Sequence, residues 1–175
     1  MKNKQLLKED VGTHDYGCLM LYFEFPGVSS FHTHINPEDI YHKEGDRSYG
    51  LEIEPHVTLL YGFHEGVDVD KIMEIAKQYD FNHCKLHNVS LFKNSEFEVL
   101  KFDVEGKPLH DCNEELQKFP HTNEYKVYHP HMTIAYLKPG TGEQYIKKFD
   151  WLKFYLTPNK LVYSSQDGTK QIEEI

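Results

Sequence analysis

Three cysteines in 175 residues, far apart at positions 18, 84 and 112 and with no Cys-x-x-Cys, supply neither a disulfide framework nor a zinc ribbon. They are expected as buried thiols, and none stands out as a papain-like nucleophile. Basic residues are also scarce, 19 Lys and Arg against 28 Asp and Glu for a net charge of −9. A protein that grips long DNA or RNA through its phosphates normally carries a basic patch, and Lys147-Lys148 is the largest cluster here, so no long nucleic acid is expected as a partner. A small phosphorylated ligand is not, because two or three local donors hold one phosphate whatever the total charge. No apolar run approaches the roughly 18 residues of a membrane span. The opening Met1-Lys2-Asn3-Lys4-Gln5 leads into a charged stretch rather than a signal-type one, so a cytoplasmic location and no membrane partner are expected. A Gly/Ser-rich linker is missing as well, which points to one domain, 1–175, whose lobes share a cleft.

What the chain does contain is nearly the same phrase twice. Pro55-His56-Val57-Thr58-Leu59-Leu60-Tyr61 returns 75 positions later as Pro130-His131-Met132-Thr133-Ile134-Ala135-Tyr136. Chance supplies roughly half of one bare His-x-Thr in a chain of this composition. It does not supply the shared frame, with Pro before each His, an apolar residue after each Thr and Tyr five places beyond the His, which is the mark of duplicated units.

The surrounding pattern places both copies on strands. Residues 17–25 read as a buried strand closed by Pro26-Gly27, followed by an aperiodic 27–50 stretch of the length that functional lids or disordered segments have. The first motif strand spans 55–62, an amphipathic helix 68–79, and a hairpin 85–92 with 97–104. In the second hairpin strand Phe97, Val99 and Lys101 alternate with Glu98, Leu100 and Phe102, so it is expected to be covered on both faces. A helix over 108–119, the second motif strand 131–137, a short helix 142–149 and strands 152–156 and 160–164 follow, ahead of a turn at 166–170 and a frayed end. The order predicts an α+β fold: two similar lobes, with mainly antiparallel sheets around a central cleft and flanking helices.

Strand alternation sets His56 beside Thr58 and His131 beside Thr133 on one face, with Leu60 and Ala135 as an apolar floor there. Tyr61 and Tyr136 are expected on the opposite, core side. Two imidazoles across a phosphodiester suit general acid–base catalysis, since an ordinary pKa near 6.5 lets one accept a proton while the other donates. The threonine hydroxyls can donate to the non-bridging oxygens. No metal or cofactor is needed for this chemistry. His32-Thr33-His34 with Glu38 or His42, and His129-Pro130-His131, offer His-x-His pairs but no third fixed ligand, so no metal site is expected.

These paired motifs resemble the 2H phosphoesterase superfamily, and the resemblance covers most of the chain. It implies a bilobal α+β fold around a groove, with His56 and His131 as acid and base and Thr58 and Thr133 as phosphate ligands. Within it, Asp15-Tyr16-Gly17-Cys18-Leu19-Met20-Leu21-Tyr22 before a long loop is similar to the phage anti-CBASS nucleases. That narrower likeness implies metal-independent hydrolysis of 3'-5' bonds in cyclic di- and trinucleotide signals such as cyclic GMP-AMP, with a ribose 2'-hydroxyl as nucleophile, inside an infected bacterium. Such substrates need stacking surfaces. Tyr16, Tyr22, Tyr41 and Trp151 are the candidates, with Phe31 and Tyr49 in the lid segment, and Lys138 is a candidate phosphate contact. Two other readings use the same residues, an RNA-end 2',3'-cyclic phosphodiesterase and a protein that sequesters nucleotides without cleaving them.

Overall fold

A computed structural model describes residues 14–25, 27–149 and 155–175 together with the backbone of strand 5–8. Trp151 and most of the expected 152–156 strand lie outside the described residues. The strands are β1 Gln5–Lys8, β2 Gly17–Glu24, β3 His56–Phe63, β4 Lys85–Lys93, β5 Glu98–Glu105, β6 His131–Leu137, β7 Thr157–Ser164 and β8 Thr169–Glu174. The helices are α1 Val28–His32, α2 Val69–Ala76, α3 Lys107–Leu116 and α4 Glu143–Phe149.

All strand pairs are antiparallel, in the order β1-β8-β7-β2-β3-β6-β5-β4. The α+β class, its antiparallel character and its two halves follow the sequence pattern. The halves meet along a narrow seam, because β3 and β6, the two motif strands, pair only at Val57 and Met132. Both of these are fully buried, so the seam is anchored in the core while its other face carries the motifs.

The helices form where their patterns demand. Asp68 caps α2 by accepting the Lys71 amide at 3.0 Å, and Ile72, Met73 and Ala76 are buried. In α3 a proline opens the first turn, and Leu109, Cys112 and Leu116 are buried.

Three expectations are corrected. The C-terminal end is not frayed: Thr169–Glu174 is a full strand on β7, reached through Gly168 at φ 79°. Its residues, Thr-Lys-Gln-Ile-Glu-Glu, are mostly polar, and the ladder is held by backbone pairing and by Gln171, which donates to Asp70 at 3.1 Å.

The 27–50 segment is not a free lid. It folds as α1 and a 3₁₀ turn at Pro37–Asp39 and then runs along the edge of β6 that β3 leaves open. Tyr41 N–H donates to Tyr136 O, Lys138 N–H to Asp39 O and Tyr136 N–H to Gly50 O, at 2.7–2.9 Å. Unpaired strand edges need partners, and this strap supplies them.

The third correction concerns the motif strands. Tyr22 pairs with His56 and Met20 with Thr58, but Leu19 pairs with Leu60 and Cys18 with Tyr61. Asp103 pairs with His131 and Lys101 with Thr133, but Leu100 pairs with Ala135 and Val99 with Tyr136. Each motif strand therefore carries one extra residue, Leu59 or Ile134, three places after its histidine. From there on the alternation is reversed, so Leu60 and Ala135 turn into the core, at 2% and 0% exposure. Tyr61 and Tyr136 turn onto the histidine face, and Tyr61 is 48% exposed.

A bulge strands a backbone carbonyl, and here both are satisfied from far along the chain. Buried Asn113 on α3 donates to Leu59 O at 2.6 Å, and Ile134 O accepts from the Glu52 amide of the strap at 2.9 Å and from His32 Nε2–H at 3.1 Å. Gly62 then carries β3 through φ 108°, where a Cβ would sit 1.9 Å from Thr122 O. Gly62→Ala should therefore cost about 3 kcal/mol or more of stability, read as a lowered midpoint in denaturant unfolding.

Candidate active site

The four motif residues converge on the face of the seam opposite the core. Antiparallel pairing centred on Val57 and Met132 sets His56 across from Thr133 and Thr58 across from His131. The two histidines are then diagonal neighbours, roughly 7–8 Å apart at Cα. All four side chains are half-buried, in contact with both the sheet and solvent.

Each histidine is held in the same way. His56 Nδ1–H donates to Glu54 O at 2.9 Å, and His131 Nδ1–H donates to His129 O at 2.8 Å. A carbonyl only accepts, so both rings carry their proton on Nδ1 when neutral, and Nε2 is left for exchange with a ligand. Burial holds the His131 pKa below its usual 6.5, with the nearby Lys101 and His56 charges acting in the same direction against the His129 carbonyl and Asp103.

The repetition extends beyond the motif into residues that share no sequence. His56 lies against the Tyr22 ring at 4.9 Å, Lys160 Nζ stands 4.8 Å over that ring, and Glu54 lies 3.6 Å from the lysine. His131 meets the Phe92 ring edge-on at 5.0 Å, Lys101 Nζ stands 4.2 Å over it, and Asp103 pairs with the lysine. Histidine, aromatic ring, ammonium and carboxylate thus recur on both sides of the seam.

The halves differ in depth. Lys101 is 4% exposed and also donates to Ser90 Oγ at 2.7 Å, whereas the Lys160 side chain is 29% exposed. Lys101, opposite Thr133, was not among the sequence candidates. Its signal was a charge in a strand expected to be covered on both faces, and it is there because Asp103 and Ser90 satisfy it.

Among the other candidates, Tyr22 lies beside His56. Tyr16 sits at the far end of β3, edge-on to Tyr61 at 6.0 Å and near His64 at 6.1 Å. Tyr41 and Tyr49 are not lid residues: with Phe97 and Tyr136 they form a ring cluster at the opposite end, and Tyr41 Oη donates to Glu96 at 2.5 Å. Phe31 packs on Phe25, Phe102 and Phe149 in the core. Lys138 is exposed in the turn after β6, a strand length of roughly 20 Å from His131, so the structure does not bring it to the histidines.

Among the described residues no three His, Cys, Asp or Glu side chains are grouped to hold a metal. Cys84 and Cys112 are core thiols, Cys18 is half-buried beside Thr58, and burial pushes all three up to about 12, away from thiolate chemistry.

A family model described as the 2'-5' RNA ligase superfamily matches residues 27–169, a span that includes both motifs, the strap and both supporting lysines. The chain belongs to the 2'-5' RNA ligase superfamily. As a member of this two-histidine phosphoesterase superfamily it carries the fold and the paired motifs of phosphodiester chemistry. Among solved structures, Usb1 of Kluyveromyces marxianus is similar at 12% identity and a TM-score of 0.49, covering 90% of this chain and 97% of that one. The same protein with uridine monophosphate is similar at 11% identity and a TM-score of 0.46, over the same shares of both chains. Comparison with curated proteins found no match to this superfamily member.

Proposed function

We propose that the protein is a metal-independent phosphodiesterase that cleaves 3'-5' bonds in short, cyclic oligonucleotides. The observation that carries this is the matched pair of Nδ1-to-carbonyl hydrogen bonds, which leaves an Nε2 on each side of one four-residue site. His131, held below 6.5 and so neutral near pH 7, takes the proton from the attacking oxygen, a ribose 2'-hydroxyl or water. His56 gives a proton to the leaving oxygen. Thr58 and Thr133 donate to the non-bridging oxygens, where negative charge builds up as the bond breaks.

Two features favour a short substrate. The lysines of the site, Lys101 and Lys160, each stand beside a carboxylate, so among the described residues the cleft offers no row of free cations to follow a long phosphate backbone. Aromatic clusters stand at the far ends of the two motif strands, Tyr16 with Tyr61 and Tyr136 with Tyr41, Tyr49 and Phe97, and rings of this kind are what bases stack on. Removal of cyclic di- and trinucleotide signals of the antiviral kind, in the bacterial cytoplasm, is the biological role we propose on this basis. No helix of the described residues is long and apolar enough to cross a membrane.

The test is incubation with EDTA and a panel of cyclic GMP-AMP, cyclic di-AMP, a cyclic trinucleotide and an oligoribonucleotide ending in 2',3'-cyclic phosphate, with products resolved. Cleavage of the cyclic dinucleotides or trinucleotide in EDTA is expected. Loss of turnover on chelation would sink the metal-free route, cleavage of the RNA end alone would move the protein to RNA-end processing, and intact substrates would make it a sequestering protein. Tyr61→Ala is expected to raise KM for the cleaved cyclic substrate by about 5- to 100-fold, the loss of one stacked base, with a smaller change in kcat.

A further inference from the structure

A cavity of about 400 Å³ opens beside His56, on the side away from Tyr61. That is within the size range of small-molecule sites. Tyr22, Glu24 and Phe25 from β2 and its end, Ile53 and Glu54 ahead of β3, and Lys160 from β7 are in its lining. Two features mark it as more than a packing defect. Ile53 is 74% exposed, a large aliphatic side chain at the mouth that a flat ring would cover. Beside it, a carboxylate and an ammonium stand together at the surface, with Glu54 Oε1 and Lys160 Nζ 3.6 Å apart.

We infer that this cavity is a nucleobase site selective for guanine. The inference rests on the nucleotide phosphodiesterase reading and adds its base preference. A guanine edge presents two adjacent donors, the 2-amino group and N1–H, followed by an acceptor, O6. A carboxylate followed by an ammonium is the complement of that order: Glu54 accepts from the 2-amino group and N1–H, and Lys160 donates to O6. Adenine presents an acceptor, N1, where the carboxylate needs a donor, and cytosine does the same with N3. Uracil offers one donor between two acceptors.

The present Glu54–Lys160 contact is loose and partly solvated, with side chains 61% and 29% exposed, so a base that bonds to both loses little by replacing it. The same loop ties the site to the chemistry, because the carbonyl of Glu54 holds His56. In this reading the guanosine seated here is the one that presents its phosphate to His56.

Titration calorimetry of the full chain with the 5'-monophosphates of guanosine, inosine, adenosine, uridine and cytidine reads this directly. Guanosine monophosphate should bind about tenfold tighter than adenosine monophosphate, with inosine monophosphate, which lacks only the 2-amino group, between them. Glu54→Gln should bring the guanosine-to-adenosine ratio close to one. Equal affinity for the guanosine and adenosine nucleotides in the unmodified protein, or a ratio unchanged in a folded Glu54→Gln variant, would overturn the inference. The inosine comparison needs no variant, so a misfolded Glu54→Gln protein leaves the test intact. Failure of the two readings is separable: guanine-selective binding without any phosphodiester cleavage refutes the catalytic reading alone, and cleavage without base selectivity refutes the guanine site alone.

Discussion

Replacing His131 with alanine should lower kcat by about 10²- to 10⁴-fold on every phosphodiester tested, and replacing His56 should do so only when the leaving group needs a proton. The distinction follows from their proposed roles. An alkoxide leaving from ribose is strongly basic and depends on His56 for a proton, whereas p-nitrophenolate leaves without one. On bis(p-nitrophenyl) phosphate, His56→Ala should therefore keep most of its activity while His131→Ala stays impaired. The reverse pattern would exchange the two roles, and full activity of both variants would remove the histidines from the mechanism.

The pH profile carries an independent check. Because burial lowers the His131 pKa, its base form persists below the usual 6.5, and the acid limb of kcat/KM should fall at a lower pH than an unperturbed imidazole gives. The same shift has a stability sign. As pH drops below 6.5 the unfolded chain takes up a proton on this histidine before the folded chain does, so stability is lost from 6.5 downward through the folded value.

The second large effect is expected at Asp103. Lys101 is 4% exposed, and its charge is held by Asp103, by Ser90 and by the Phe92 ring. Asp103→Ala leaves that ammonium buried without a counter-ion, which should cost about 3 kcal/mol. The lower part of the range for buried pairs applies, because the Asp103 side chain is 35% exposed and retains some water. Denaturant unfolding of Asp103→Ala, Lys101→Met and the double variant forms the required cycle. The double variant should recover much of the loss, since it removes the stranded charge. An Asp103→Ala protein as stable as the parent would show that the pair does no structural work.

The surface-facing members of the site behave differently from these. Glu54 and Lys160 repeat the carboxylate and ammonium on the other side of the seam, but both remain partly solvated. Breaking that pair should have little effect on stability. The seam thus has a buried half around Lys101 and a half open to solvent around Lys160.

Much of this was legible in the sequence. The motif strands, the two longer helices and the 85–105 hairpin rest on local periodicity, and local periodicity survives folding unless a neighbour overrides it. The convergence of His56, Thr58, His131 and Thr133 on one face needed only the two-residue period of a strand, applied within three residues. The β8 strand was missed because Thr-Lys-Gln-Ile-Glu-Glu has no apolar face to announce it, and its pairing is with backbone. Lys101 was missed because a charge in a strand covered on both faces has no visible role until its counter-ion is placed in space.

The orientation of Tyr61 and Tyr136 lies on the other side of that line. Alternation sends both into the core, and it fails at Leu59 and Ile134 because each strand takes an extra residue against its neighbour. The side chains that bind those bulges, Asn113 and His32, stand 54 and 102 residues from their carbonyls, and the Glu52 amide of the strap shares the second carbonyl with His32. The sequence by itself determined the candidate site, two histidines and two hydroxyls at strand spacing. The tertiary structure alone decided which aromatic rings flank them, because a strand's register is a property of the pair of strands and of the side chains that satisfy it, not of the strand read alone.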